Sequence, residues 1–159
     1  RIRGFNRAAN ATPFLVLTDL DDEMCAPQLL QNWLSEPPSR NLIFRIAVRE
    51  VEAWLIAHRD GIATFLEIQR ELIPSNVEEI ENPKEALIGL ARRSKRGDIR
   101  KDIVPPDGSN RIQGPDYNGR LIRFVEESWN PVRAMENSQS LLKAISALKS
   151  FNPTWPLYS

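Results

Sequence analysis

The feature that most constrains this chain is a pattern used twice, in which an apolar run ends on carboxylates and passes straight into a helical period. Phe14-Leu15-Val16-Leu17 is opened by Pro13 and closed by Thr18-Asp19-Leu20-Asp21-Asp22-Glu23. It reads as a buried strand, with the proline at the end where a strand tolerates one. Leu29, Leu30, Trp33 and Leu34 then recur at helical spacing until Pro37-Pro38 stops them. The second run, Leu42 to Val48, reads as another strand, and Arg45 in its middle must reach an edge, solvent or a carboxylate. From Val51, the positions Val51, Trp54, Leu55, Ile62, Phe65 and Leu66 keep the period of one helix, so strand meets helix at Arg49-Glu50. Strand, helix, strand, helix predicts a parallel α/β core over residues 11–73.

Residues 82–150 have a different character, helical throughout. Asn82 is placed to cap a helix that starts at Pro83 and carries Leu87, Leu90 and Ala91. That helix ends in a basic cluster. Residues 105–119 hold three prolines and three glycines around Asp107, Asn110, Asp116 and Asn118, the composition of a long structured loop or lid. One further helix carries Leu121, Ile122, Val125 and Trp129. Another carries Leu141, Leu142, Ile145 and Leu148 after a cap at Ser138 or Ser140. Asn152 to Tyr158 reads as an irregular tail. The expected fold is a single α/β domain over residues 1–159. Two parallel strands alone make no stable sheet, so a preceding strand is expected to be missing from the chain or supplied elsewhere.

Charge and cysteine usage narrow the function classes. The 21 basic and 21 acidic residues cancel, so no global field holds nucleic acid, and any such binding rests on local patches. A single cysteine, Cys25, excludes an internal disulfide, and no apolar run approaches the roughly 20 residues of a membrane span. A cytoplasmic protein is expected. The chain starts at Arg1 rather than Met, so its numbering is expected to begin inside a longer one.

The acids carry the chemistry. Ligands of α/β sheets collect at the carboxyl ends of the strands, which is where Asp19, Asp21 and Asp22 fall. In an extended chain residues two apart point the same way, so Asp19 and Asp21 can share one site. Clustered carboxylates repel unless a cation or proton lies between them, and an all-oxygen set favours Mg²⁺ or Mn²⁺ over zinc. Arg49-Glu50-Val51-Glu52 brings further acids to the end of the adjacent strand. Glu50 is preferred as the third ligand for its place at the strand end, while Glu52 points roughly opposite on a helix and stays an alternative. The plainer reading of all these acids is a solvated first helical turn favoured by the helix dipole.

Arg92, Arg93, Lys95 and Arg96, with Lys84, are candidate phosphate contacts, against a plain reading as solvated helix ends. Tyr117 and Asn118, between Gly114 and Gly119, either close over a substrate or anchor a structural turn. His58 has no metal-ligand or triad partner at useful spacing and reads as structural or exposed. Cys25 reads as a small packing residue, and the four tryptophans as core.

Leu15-Val16-Leu17-Thr18-Asp19-Leu20-Asp21 followed by Ala47-Val48-Arg49-Glu50-Val51-Glu52-Ala53-Trp54-Leu55-Ile56-Ala57 resembles an uncharacterised bacterial Toprim-like family, related to the overcoming-lysogenisation-defect nucleases. The likeness runs on through Asn82-Pro83-Lys84-Glu85-Ala86-Leu87, Gly114-Pro115-Asp116-Tyr117-Asn118 and Ser140-Leu141, nearly the whole chain. It implies a Toprim-like parallel sheet flanked by helices. It also implies Mg²⁺- or Mn²⁺-dependent phosphodiester chemistry on DNA or RNA, with Asp19 and Asp21 as the DxD pair. Work in bacterial defence against mobile DNA, beside a partner ATPase or another defence protein, follows from the same likeness. A non-catalytic interaction module or a nucleotide sensor on the same fold is the alternative. The Toprim glutamate normally precedes the DxD, and no strand with a glutamate stands before Phe14. Either the chain is truncated, or Glu50 or Glu52 substitutes, or the site is incomplete. The chain also departs from the pattern at His58, where the family offers an acid.

Overall fold

A computed structural model of the protein describes residues 2–34 and 36–155. The expected end of the irregular tail, from Pro156 to Tyr158, lies outside the described residues. Helix α1 (Ile2–Ala8) leads into strand β1 (Phe14–Asp19), helix α2 (Ala26–Trp33) and strand β2 (Leu42–Ala47). Seven helices follow in the described chain: α3 (Val51–Ala57), α4 (Arg59–Leu66), α5 (Pro83–Arg92), α6 (Gly97–Ile103), α7 (Tyr117–Glu127), α8 (Pro131–Ala134) and α9 (Gln139–Lys149). The fold is mixed α/β with a two-stranded parallel sheet. Phe14 pairs with Leu42 and Asp19 with Ala47, so the two strands end together and their acids arrive at one end. No helix of the described chain is long and apolar enough to cross a membrane.

Alternation along β1 and β2 gives the sheet two faces. Phe14, Val16, Leu42, Phe44 and Ile46 pack with Leu29 of α2 and with Ile2 and Ala9 at the two ends of the α1 region. Trp33 stacks on Phe44 with centroids 6.1 Å apart, and Phe5 meets Phe14 edge-on at 5.5 Å. On the other face Leu15 and Leu17 remain 54% and 44% exposed. Arg45 reaches back to the Phe44 carbonyl, donating from Nη1 at 2.9 Å, while its buried Nε has no partner among the described residues.

The large core belongs to the helices. Ile56, Ile62, Leu66, Ile73, Leu87, Ile99, Ile103 and Phe124 are all fully buried in one cluster that begins at Ala47. The α/β unit expected to run to residue 73 is therefore shorter, because α3 and α4 pack with the C-terminal helices. Polar ties fix α3 to α9. Trp54 Nε1 donates to Ser140 Oγ at 2.8 Å, and Glu78 accepts from Ser138 Oγ at 2.9 Å and from the Ser140 amide. Ser138 is the α9 cap, accepting from the Leu141 amide at 3.2 Å.

Five expectations need correction. The single helix from Val51 is two, broken at His58. Its backbone leaves the helical region there (φ −79°, ψ 69°), and Nδ1 accepts from the Asn130 amide at 3.1 Å. Its ring fills the space a Cβ would need at Gly61, so His58 is structural. The basic cluster is not a helix end alone, because α6 starts inside it and buries Ile99 and Ile103. The 105–119 loop ends at Asp116, since Tyr117 opens α7. Cys25 is exposed ahead of α2 rather than packed, and among the tryptophans Trp33 and Trp155 are exposed rather than core.

Candidate functional site

The site forms where β1 and β2 end and α3 and α5 begin. Asp19 is the last residue of β1, and its Oδ1 accepts from the Val51 amide at 2.8 Å. That bond ties the end of β1 to the first turn of α3. Glu50 is the residue before α3, in extended conformation (φ −131°, ψ 160°), and its Oε2 accepts from the Lys84 amide at 2.7 Å. The amides at the starts of α3 and α5, which lack partners within their own helices, are thus answered by the acids of the site. Asn82 caps α5 as expected, accepting from the Glu85 amide at 3.0 Å.

Glu52 is buried at 8% exposure and accepts from the Tyr117 hydroxyl at 2.9 Å. The expectation that Glu52 points away from Glu50 assumed that both stand on one helix. Glu50 is extended, so the helical angle between them does not apply, and both charges act on Asp19 or on each other. Tyr117, the anchor reading of its loop, spans α7 and α3 at 2% exposure. Lys84 Nζ lies 5.3 Å from the centre of its ring.

The electrostatics follow from this crowding. Burial raises the Asp19 carboxyl above its ordinary 3.8, the Val51 amide opposes that, and the charges of Glu52 and Asp21 add to the rise. Glu50 is raised above 4.5 in the same way, by burial and by Glu52 and Asp19, against the Lys84 amide and ammonium. Tyr117 is held protonated by burial and by its two glutamate neighbours. The result is a set of mutually repelling carboxylates with one ammonium among them.

Asp21 departs from the expected geometry. β1 ends at Asp19 and Asp21 sits in a turn at φ 50°, so the two-apart rule of an extended chain does not reach it. Its backbone instead binds β2's exit: its amide donates to the Arg49 carbonyl at 3.1 Å, and its own carbonyl accepts from Arg49 Nη1 at 3.1 Å. Its charge still acts on Asp19. Asp22 is exposed and is not among the charges that move Asp19 or Glu50. Hard oxygen donors suit Mg²⁺ or Mn²⁺ in kind. As arranged, no three acids, histidines or cysteines of the described residues converge into a metal-holding group.

The candidate phosphate contacts separate. Lys84 and Arg92 line a cleft of about 760 Å³ beside Glu50. Arg96 turns elsewhere, pairing with Asp98 at 2.7 Å and facing His58 and Arg120 across a different hollow. Arg93 and Lys95 are exposed and line neither. Arg111 joins Lys84 and Arg92 in the cleft from the 105–116 loop. Sequence reasoning missed it because nothing local marks a lone arginine in a Pro/Gly-rich loop. The loop itself is held where Gly114 and Asp116 donate to the carbonyls of Ile103 and Asp102 at 2.8 and 3.0 Å. A Cβ at Gly114 would collide with the Asp102 and Ile103 backbone, so that close return requires glycine. No family model, curated protein or solved structure matches the chain.

Proposed function

We propose that this chain is a Toprim-like domain that processes phosphodiesters with Mg²⁺ or Mn²⁺, with Asp19 and Glu50 as the principal ligands. Asp21 and Glu52 complete the acidic shell. The observation that carries the reading is the placing of Asp19 and Glu50 at the carboxyl end of a parallel strand pair, near enough to Glu52 and Lys84 for those charges to act on both. The Val51 and Lys84 amides account for one oxygen each of Asp19 and Glu50, and the repulsion that remains among the acids is what a cation would relieve. When bound, such a cation supplies Lewis acidity for a phosphoryl oxygen and lowers the pKa of a water.

The chain's own residues do the rest. The Val51 and Lys84 amides fix one oxygen each of Asp19 and Glu50, which leaves the second oxygens to turn toward a ligand. The Tyr117 hydroxyl fixes Glu52, and the Lys84 ammonium stands beside the acids to meet a phosphate. Work in bacterial defence, alongside a partner ATPase or another defence protein, belongs to the same proposal through the family resemblance.

The test is a plasmid and RNA cleavage assay with Mg²⁺ or Mn²⁺. Cleavage that falls at least about 100-fold in Asp19→Ala and Glu50→Ala supports the reading, since even outer-shell changes at metal sites cost 10–100-fold. Cleavage equal in wild type and both variants overturns it. A second reading, a non-catalytic interaction module, is favoured by the bare Leu15 and Leu17 face of β1. It predicts no metal binding, with the acids serving as structural partners of the α3 and α5 amides, whereas metal binding without cleavage points to truncation or a missing partner.

A further inference from the structure

We infer that the cleft between α5 and the 105–116 loop is the path of a single nucleic-acid strand, whose phosphates lie against Lys84, Arg92 and Arg111. The inference rests on the proposed phosphodiester chemistry and names where its substrate lies. Lys84, Ile88 and Arg92 recur every four residues along one face of α5, so the two cations stand about 12 Å apart along the helix. Arg111 faces them from the loop, and Glu50 of the acidic site lines the same cleft. None of the three cations is ion-paired with a carboxylate among the described residues. Arg96, Arg120 and Arg123, across the molecule, are each neutralised by Asp98, Asp102 or Asp116. Three cations against the two carboxylates of Glu50 and Glu85 line the cleft, a small positive excess in a chain whose net charge is zero.

Gly89 gives an independent reason. It stands inside α5, where glycine costs about 1 kcal/mol relative to alanine. No protein atom lies within 4 Å of the place its Cβ would occupy, so neither packing nor backbone conformation asks for glycine. It lines the cleft, and a bare backbone there keeps the floor open to a ligand. A second depression, lined by Asn110, Gln113 and Pro115, shares Lys84, Arg111 and Ile112 with the first, so the path runs on past the loop. A continuous path fits a strand better than a compact mononucleotide. Ile112, 80% exposed on the wall, offers apolar surface to a base.

The experiment is fluorescence anisotropy of labelled single-stranded DNA and RNA oligonucleotides of about ten nucleotides, in EDTA and low salt, with unlabelled duplex and AMP as competitors. Binding of the single strands is expected. Arg92→Ala and Arg111→Ala each reduce the salt slope by about 0.7. Gly89→Glu weakens binding at least tenfold with an unchanged circular dichroism spectrum, and Gly89→Ala, which raises the floor by one methyl, weakens it by a smaller factor. Absence of binding at low salt overturns the inference, as does binding that Gly89→Glu and Arg111→Ala leave unchanged. Competition by duplex or AMP as effective as by single strand overturns it too. Because no divalent ion is present, the two readings fail separately. Strand binding in EDTA survives if only the metal chemistry is wrong, and metal binding survives if only the cleft is wrong.

Discussion

The two halves of the molecule are built to different standards. Around the sheet, six buried residues form a small cluster, and one face of β1 leaves Leu15 and Leu17 open. From Ala47 onward, 23 buried residues form a single cluster among the described residues. The site lies on the seam. Asp19 comes from the thin half, while Glu50, Glu52, Lys84 and Tyr117 belong to the well-packed one. The helical half therefore seats its acids and lysine against a large buried cluster, while β1 presents Asp19 on a lighter support.

The largest effect that tests this contrast is core truncation. Leu66→Ala, fully buried in the large cluster, is expected to cost about 4 kcal/mol, and Leu29→Ala, equally buried in the small one, about 2–3 kcal/mol, from the known spread of such cavities. Urea unfolding checks both, and equal costs would break the comparison. Next is Tyr117→Phe, which strips the donor from buried Glu52 and is expected to cost about 1–3 kcal/mol. A cost near zero in the same measurement would mean that water replaces the hydroxyl and that Glu52 is not sealed. Smaller still is Leu17→Thr on the bare face of β1, expected within about 0.5 kcal/mol. A large loss would show that this face is covered in solution.

The smallest effect has a definite sign. Asp19 and Glu50 have carboxyls raised in the folded state, so folding favours their protonated forms. Above the raised values both are charged and weaken the fold. As pH falls through those values toward the ordinary 3.8 and 4.5, this penalty is relieved, opposite to the usual behaviour of paired carboxylates. Asp19→Asn, whose side-chain oxygen can still accept from the Val51 amide, is therefore expected to melt above wild type at neutral pH. The gap should close in acid, and thermal melts across pH decide it.

Much of the thin half was legible because its signals are local. Phe14-Leu15-Val16-Leu17 and Leu42 to Val48 are apolar runs bounded by breakers, and both became strands with only the ends adjusted. Asn82-Pro83 announced α5 by cap chemistry alone. Breaks set by distant partners were not legible. Nothing near His58 shows that Asn130 will bind its ring, and the helical period of Val51 to Leu66 continues across the joint. Tyr117 opens a helix because Glu52, 65 residues away, accepts its hydroxyl and the core takes its ring. In the site, the acids were found from spacing and strand ends, but Asp21's turn and Arg111's place in the cleft depend on how the chain returns.

We propose that Asp19 and Glu50 hold a cation, without which their charges stay uncompensated. Titration calorimetry of Mn²⁺ and Mg²⁺ into wild type, Asp19→Asn and Glu50→Gln tests it most directly, with circular dichroism to confirm that all three are folded. The account predicts saturable binding by wild type, lost in both folded variants. Binding that persists undiminished in both, or no binding by wild type at millimolar metal, would contradict it and leave the acids as the structural partners of the α3 and α5 amides.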